Sequence, residues 1–292
     1  IFALIIVVVI GAFFAFSYVK NNKTSIAIKS FAALEKISQF LPIQEDTKKE
    51  LAVVDSLVQK LTEKNDKTWT FLLLLQNNME LRPGGGFLGQ YAIIKVKNGE
   101  VISSMFEDAN LLDQRITAKI AAPYPFERMM QLKKWKFRDS NFSPDFPTNV
   151  EKAEYFYRLS GRGGTFDGVV AINATVLNDI LELTGPITVS GTEFNSSNGF
   201  LKLEEVVEKK YILDPELDTQ NRKLIMKTMT PIIIDKLFQL GNISKVANLA
   251  HEELRNKNIQ INFSDSSLQS LISSVYWDGK VATDWGGDFL MV

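Results

Sequence analysis

Cysteine is absent from all 292 residues, and histidine occurs once, at His251. Those absences remove disulfides, thiol nucleophiles and Cys/His zinc sites, and they argue against a Ser-His-Asp triad. The lack of cysteine is compatible with an extracytoplasmic bacterial protein without disulfides and equally with a cytosolic one. Net charge is nearly absent too, because 33 basic side chains face 34 acidic ones and leave −1. No global positive field exists to hold nucleic acid, so no nucleic-acid partner is expected and any anion site must be local. Chemistry is left to carboxylates, arginines, hydroxyls and a hard divalent cation such as Mg2+.

The first 19 residues, IFALIIVVVIGAFFAFSYV, contain no charge and are followed by Lys20 and Lys23. About 20 apolar residues cross a bilayer core, so residues 1–19 are read as a single transmembrane helix. Residues 20–66 are expected to form a membrane-proximal helical stalk. There TSIAIKSFAALEKISQF and EDTKKELAVVDSLVQKLTEK each carry an apolar stripe at helical spacing, with Pro42 between them.

Residues 67–292 are predicted to fold as one domain. TWTFLLLLQ is a continuous apolar strand, and GQYAIIKVKNGEVISSMFED is a hairpin turning at Asn98-Gly99. NVEKAEYFYRLSG is an amphipathic helix closed by Gly161, FDGVVAIN a buried strand, ATVLNDILELTG a helix ending at Gly185, and PITVSG a short strand. Helices are expected over 200–212, 219–239 and 243–256, followed by the strand IQINFSD and the helix SSLQSLISSV. This alternation predicts an α/β fold with a mixed central sheet flanked by helices. The chain closes on DWGGDFLMV, an apolar run without a terminator that reads as a cut inside an element.

Between the first strand and the hairpin lies ELRPGGGFLGQY. It is neither a P-loop nor a dinucleotide fingerprint, since no Gly-Lys-Ser/Thr follows and the next element is a strand. Bare backbone at Gly84 and Gly85 beside the Arg82 guanidinium suits a phosphate; the alternative is a tight connection in which Arg82 pairs with a carboxylate. FRDSNFSPDFP gathers Arg138, Asp139, Asn141 and Asp145 in one irregular loop. Its oxygens suit magnesium and its arginine suits pyrophosphate, while helix capping would account for Asp145 or Thr148 but not for Arg138-Asp139. In YILDPELDTQNRKLI, Arg222 stands in the first turn of a helix, against the helix dipole, and so needs a partner. FEDANLLDQR adds Glu107, Asp108, Asp113 and Arg115, for which a solvated face is the plain alternative, and His251 is read as a surface residue.

LLLLQNNMELRPGGGFLGQY, WKFRDSNFSPDFP, FDGVVAINATVLNDILELTGPITVSG and DWGGDFLMV together resemble a bacterial family of membrane-anchored extracytoplasmic domains of unknown function. More distantly, the order of elements resembles the LytR-CpsA-Psr family, which transfers glycopolymers from polyprenyl-pyrophosphate carriers to the cell wall. In that resemblance Arg82 stands at the arginine loop, the 88–106 hairpin follows, and Arg222 occupies the arginine of a late helix. Lys223 replaces that helix's glutamine, and the arginine-aspartate dipeptide after the hairpin is absent.

The resemblance implies a single-pass cell-membrane protein whose main domain faces outward and acts in cell-wall biogenesis. Its function would be to handle a glycopolymer or its polyprenyl-pyrophosphate carrier, as a phosphotransferase. Arg82, Gly84, Gly85, Arg138 and Arg222 would bind pyrophosphate. Asp108 or Asp139 would act as the base, and Asp108, Asp139 and Asp145 would hold Mg2+. An apolar channel between sheet and helices would take the lipid tail. The alternative is a non-catalytic scaffold, filament or glycan-binding module. Expected partners are the bilayer, a polyprenyl-linked glycan, and further copies of the chain or other envelope proteins.

Overall fold

The computed structural model describes residues 45–213 and 243–282, together with Ile225, Thr228, Met229, Ile232, Ile233, Lys236 and Leu237. The uncharged run 1–19, Arg222 and residues 283–292 lie outside the described residues. Among the described residues no helix is long and apolar enough to cross a membrane.

The first described helix, α1 (Glu45–Thr62), leads into β1 (Thr68–Asn77). The run FLLLL in β1 has apolar residues pointing both ways, and strand geometry demands a cover on each face. Trp69, Phe71 and Leu73 join one core while Leu72 and Leu74 join another. Strands β2 (Phe87–Lys97) and β3 (Glu100–Asp108) form the hairpin, whose turn places Asn98 at φ 54° and Gly99 at φ 78°. Positive φ at both central residues is the type I′ geometry that Asn-Gly favours.

Helices α2 (Ala109–Arg115), α3 (Tyr124–Met130) and α4 (Phe146–Leu159) follow the hairpin. After them come β4 (Gly168–Asn173), α5 (Val176–Thr184), β5 (Ile187–Val189), β6 (Thr192–Phe194) and α6 (Gly199–Leu213). The described chain closes with α7 (Ile243–Arg255), β7 (Ile259–Phe263) and α8 (Ser266–Ser274). The segment expected as one short strand, PITVSG, is half of the hairpin β5–β6, turning at Ser190-Gly191.

The main sheet runs β3-β2-β1-β4-β7. Only β1 and β4 are parallel; the other neighbours are antiparallel, so the sheet is mixed as expected. One face packs on α1, α7 and α8 through Val54, Leu57, Val246, Leu254 and Ile272. The other packs on α2 and α4 through Leu112, Phe146, Val150 and Phe156. A smaller cluster joins α5, β5 and β6 to Ile225 and Met229.

The predicted stalk thus contributes α1 to the domain's own core. Its far end is tied to the hairpin turn, where the Asn65 amide donates to the Asn98 side chain at 2.9 Å. Glu45 therefore starts the helix toward the opposite end of the sheet, where β1 finishes. Consistent with this, Glu50 approaches His251 of α7 at 3.1 Å, and His251 is partly covered rather than a surface residue.

Candidate functional site

The loop after β1 is closed by its own hydrogen bonds. The Gly84 amide donates to the Asn141 carbonyl at 3.0 Å and the Gly85 amide to the Arg82 carbonyl at 3.0 Å. The Gly86 amide donates to the Gln76 side chain at 3.2 Å. All three glycine N–H groups thus have acceptors inside the protein, and no open cradle of donors faces an anion. What requires glycine is close approach. Gly85 sits at φ 129°, and a Cβ there would meet Gln76 Oε1 at 2.8 Å. A Cβ on Gly84 would meet the Asn141 carbonyl at 2.8 Å.

Arg82 is equally engaged. Its Nε and Nη2 donate to one Asp139 oxygen at 3.3 and 3.1 Å, Nη2 also to Glu80 at 3.1 Å, and Nη1 to the Leu81 carbonyl at 2.9 Å. The two side chains of the Arg82–Asp139 pair are 4% and 3% exposed, so this is a desolvated ion pair. The guanidinium is sandwiched between Phe87 and Phe126, 5.4 and 5.6 Å from the ring centres.

Within the loop FRDSNFSPDFP, Arg138 and Asp139 lie in a 3-10 turn, Phe137–Asp139. Arg138 approaches Asp139 at 3.9 Å and Asp113 at 3.8 Å, and it donates to the Asn110 side chain. Asp113 accepts from the Phe137 amide at 2.7 Å. Burial pushes its carboxyl up to about 6, against that hydrogen bond and the Arg138 charge. Arg82 and Arg138 therefore do converge, but on each other's carboxylates, in a knot of alternating charge.

The segment expected as a solvated acidic face is largely covered. Glu107 pairs with Arg162 at 2.6 Å, and Tyr91 donates to the same carboxylate. Asp108 caps α2, accepting from the Asn110 amide at 2.8 Å. Asp145 caps α4, accepting from the Thr148 amide at 3.0 Å, its hydroxyl at 2.6 Å and the Val281 amide at 3.0 Å. Asp108, Asp139 and Asp145 thus serve three separate structural roles. Among the described residues no three His, Asp or Glu side chains group to hold a metal ion, so these carboxylates do not fit a shared Mg2+.

Beside the knot is a cavity of about 700 Å3. It opens at the ends of β1 and β4, the edge where α/β sheets place ligands. Ile172, Val176, Leu177, Ile180, Phe200 and Met229 form its apolar wall. Its polar lining, with the exposed Glu80 at the rim, comes from Gln76, Asn77, Glu80, Gln90, Asp108, Asn110, Asn173 and Glu204. No lysine or arginine is among the lining residues described. Of the expected site residues only Asp108 reaches this surface; Arg222 lies outside the described residues.

Residues 66–208 match the family described as a protein of unknown function, DUF4012. The DUF4012 stretch spans β1 to most of α6, so it contains the glycine loop, the charged knot and nearly all of the cavity wall. Among solved structures, the transcriptional regulator yvhJ from Bacillus subtilis is similar at 13% identity and a TM-score of 0.37, over 73% of this chain and 77% of its own. The Lin1025 protein from Listeria innocua is similar at 15% identity and a TM-score of 0.36, over 73% and 80%. No curated protein matches the chain.

Sequence reasoning missed the α5–α6 wall of the cavity, because Leu177, Ile180 and Leu203 carry the same helical spacing as ordinary core. It also missed a carboxyl pair between α5 and α7. Burial, with Asp179 nearby, pushes Glu253 up to about 7, although a hydrogen bond with Asn258 holds it down. Burial raises Asp179 as well, and a hydrogen bond with Glu253 offsets it. Two acidic residues 74 positions apart (253 − 179) leave no local signal of such a contact.

Proposed function

We propose that this domain is a non-catalytic binding module of the bacterial cell envelope, anchored by residues 1–19 and sharing the LytR-CpsA-Psr architecture. Its ligand is amphipathic: an apolar chain held in the cavity and a hydroxyl-rich, glycan-like head at the rim. The observation that carries this reading is the pairing of an apolar wall with a rim of amides and carboxylates that has no cation among its described residues. Amides and carboxylates accept and donate to sugar hydroxyls, whereas Glu80, Asp108 and Glu204 disfavour a bare pyrophosphate.

A second reading, phosphotransfer from a polyprenyl-pyrophosphate carrier, draws support from one feature. The knot lies directly behind the rim, since Glu80 and Asn110 both line the cavity and bond to Arg82 and Arg138. For Arg82 to meet a phosphate there, it would have to leave the buried Asp139 without its hydrogen-bonded partner, at a cost of about 3–5 kcal/mol.

Lipid extraction and mass spectrometry of the full chain purified from its membrane tests both. The binding reading expects a co-purifying lipid-linked glycan, retained in Arg138→Ala and lost in Leu177→Trp, which fills the cavity. Absence of any bound amphiphile from the wild-type chain overturns it. Turnover of an added prenyl-pyrophosphate glycan, abolished in Arg138→Ala, would establish the transferase reading instead.

A further inference from the structure

The face beside the cavity mouth carries exposed apolar side chains, with Glu80 and Glu127 exposed among them, and a basic segment flanks α3 in sequence. Helix α3 buries Phe126 but leaves Tyr124 at 74% and Met129 at 81% exposure. Met79 and Leu81, at 63% and 79%, rise from the loop that Arg82 holds against Phe126. Single exposed apolar residues need no explanation, but four around one junction do. Residues 119–136 contain five basic side chains, Lys119, Arg128, Lys133, Lys134 and Lys136, and one acidic, Glu127, in a chain whose net charge is −1. Lys119, Arg128, Lys133 and Lys134 are exposed, and none of them makes an ion pair among the described residues.

Two further features give this face an orientation. Glu80 and Phe87, on either side of Arg82 in the chain, line the cavity, so the patch borders its mouth. Helix α1 also starts, at Glu45, toward this same end of the sheet, since its other end is tied to the Asn98-Gly99 turn. The first described residue of the chain, Glu45, thus lies toward the same end of the sheet as the patch, and the uncharged run 1–19 precedes it in sequence.

We propose that the face formed by α3 and the 79–81 loop docks on an anionic lipid bilayer. Tyr124, Met129 and Leu81 enter the headgroup layer, and Lys133 and Lys134 lie against lipid phosphates. Docked in this way, the cavity mouth opens at the membrane surface, where a lipid tail passes into it without crossing water. The proposal rests on the membrane-anchored reading above and adds to it which face meets the membrane.

The chain has no cysteine, so a single introduced thiol is a clean reporter. The full chain carrying Met129→Cys, labelled with an environment-sensitive fluorophore, is placed in vesicles of phosphatidylcholine with phosphatidylglycerol. A Lys64→Cys sample reports from the opposite end of the sheet. The expected result is a Met129 probe shielded from an aqueous quencher and a Lys64 probe fully quenched. Shielding should fall in pure phosphatidylcholine and in Lys133→Glu/Lys134→Glu, each reversal weakening the docked state by a factor of about five or more. A Met129 probe as quenched as Lys64, in protein that floats with the vesicles, overturns the docking proposal alone. Failure of the full chain to float with vesicles removes the membrane-anchored reading itself.

Discussion

The cavity and the charged knot stand side by side at one end of one sheet, share Glu80 and Asn110 as a common wall, and are opposites in content. The knot is polar and filled: Arg82 and Asp139 form a buried hydrogen-bonded pair, and the partly exposed Arg138 approaches Asp139 and the buried Asp113 at 3.9 and 3.8 Å. The cavity is apolar and open, lined at its rim by groups that donate and accept but carry no positive charge among the described residues. Charge at the ligand edge of an α/β sheet is therefore not the same as charge offered to a ligand. Here Arg82 and Arg138 hold the wall, and the open space is the apolar recess beside them.

The sharpest way to break this contrast is Asp139→Ala, which leaves the buried Arg82 with only the half-exposed Glu80 as a carboxylate partner. We expect a loss of about 3–5 kcal/mol in urea unfolding, with much of it recovered in Arg82→Met/Asp139→Leu. A loss below about 1 kcal/mol would put Arg82 back among groups available to an anion. Gly85→Ala comes next: its φ of 129° and its contact with Gln76 predict a loss of about 1–3 kcal/mol by the same measurement.

The third effect is a dependence on pH. Asp113 and Glu253, ordinarily 3.8 and 4.5, stand at about 6 and about 7 in the folded chain, chiefly because they are buried. The folded state thus keeps protons that the unfolded chain releases. The stability they contribute is complete below the unfolded values and is lost as pH rises through about 6 and 7, by at most about 1.4 kcal/mol per pH unit for each proton. Glu253→Gln should flatten that fall in a series of unfolding curves. Asp145 carries the opposite sign: burial raises its carboxyl, but the Thr148 hydroxyl and the Val281 and Thr148 amides outweigh that and lower it. Its contribution is present above the unfolded value and disappears as pH falls.

The smallest expected change in stability is at the cavity. Leu177→Trp should leave unfolding within about 1 kcal/mol of wild type while ligand retention is lost, because the added ring enters open space. A large destabilisation there would mean that the recess is ordinary core.

What the sequence made legible follows the range of the forces involved. Alternation and turn chemistry are local, so the 88–106 hairpin, the Asn98-Gly99 turn and the helix closed by Gly161 could be read directly. The cap at Asp145 was also legible, since the side chain and the amide it serves are three residues apart. The partner of Arg82 was not, because Asp139 is 57 residues away and either a ligand or a carboxylate would satisfy the same guanidinium. The three glycines misled for a related reason. Their lack of side chains was read as room for a phosphate, but the groups that approach are Asn141 and Asn149 at Gly84, Gln76 at Gly85 and Asn77 at Gly86.

The parallel pairing of β1 with β4 has a consequence for how the domain comes into being. The Thr70 amide meets the Asp167 side chain across 97 residues of chain, and β4 then waits for β7, nearly as far on again. The middle of the sheet, where its apolar run is most concentrated, therefore closes after its outer hairpin. Until β4 arrives, the FLLLL segment of β1 has one bare strand edge and only part of its cover. A chain emerging from a ribosome or a translocation channel passes through that state for as long as the following residues take to appear. The step most exposed to misassembly is thus the docking of β4.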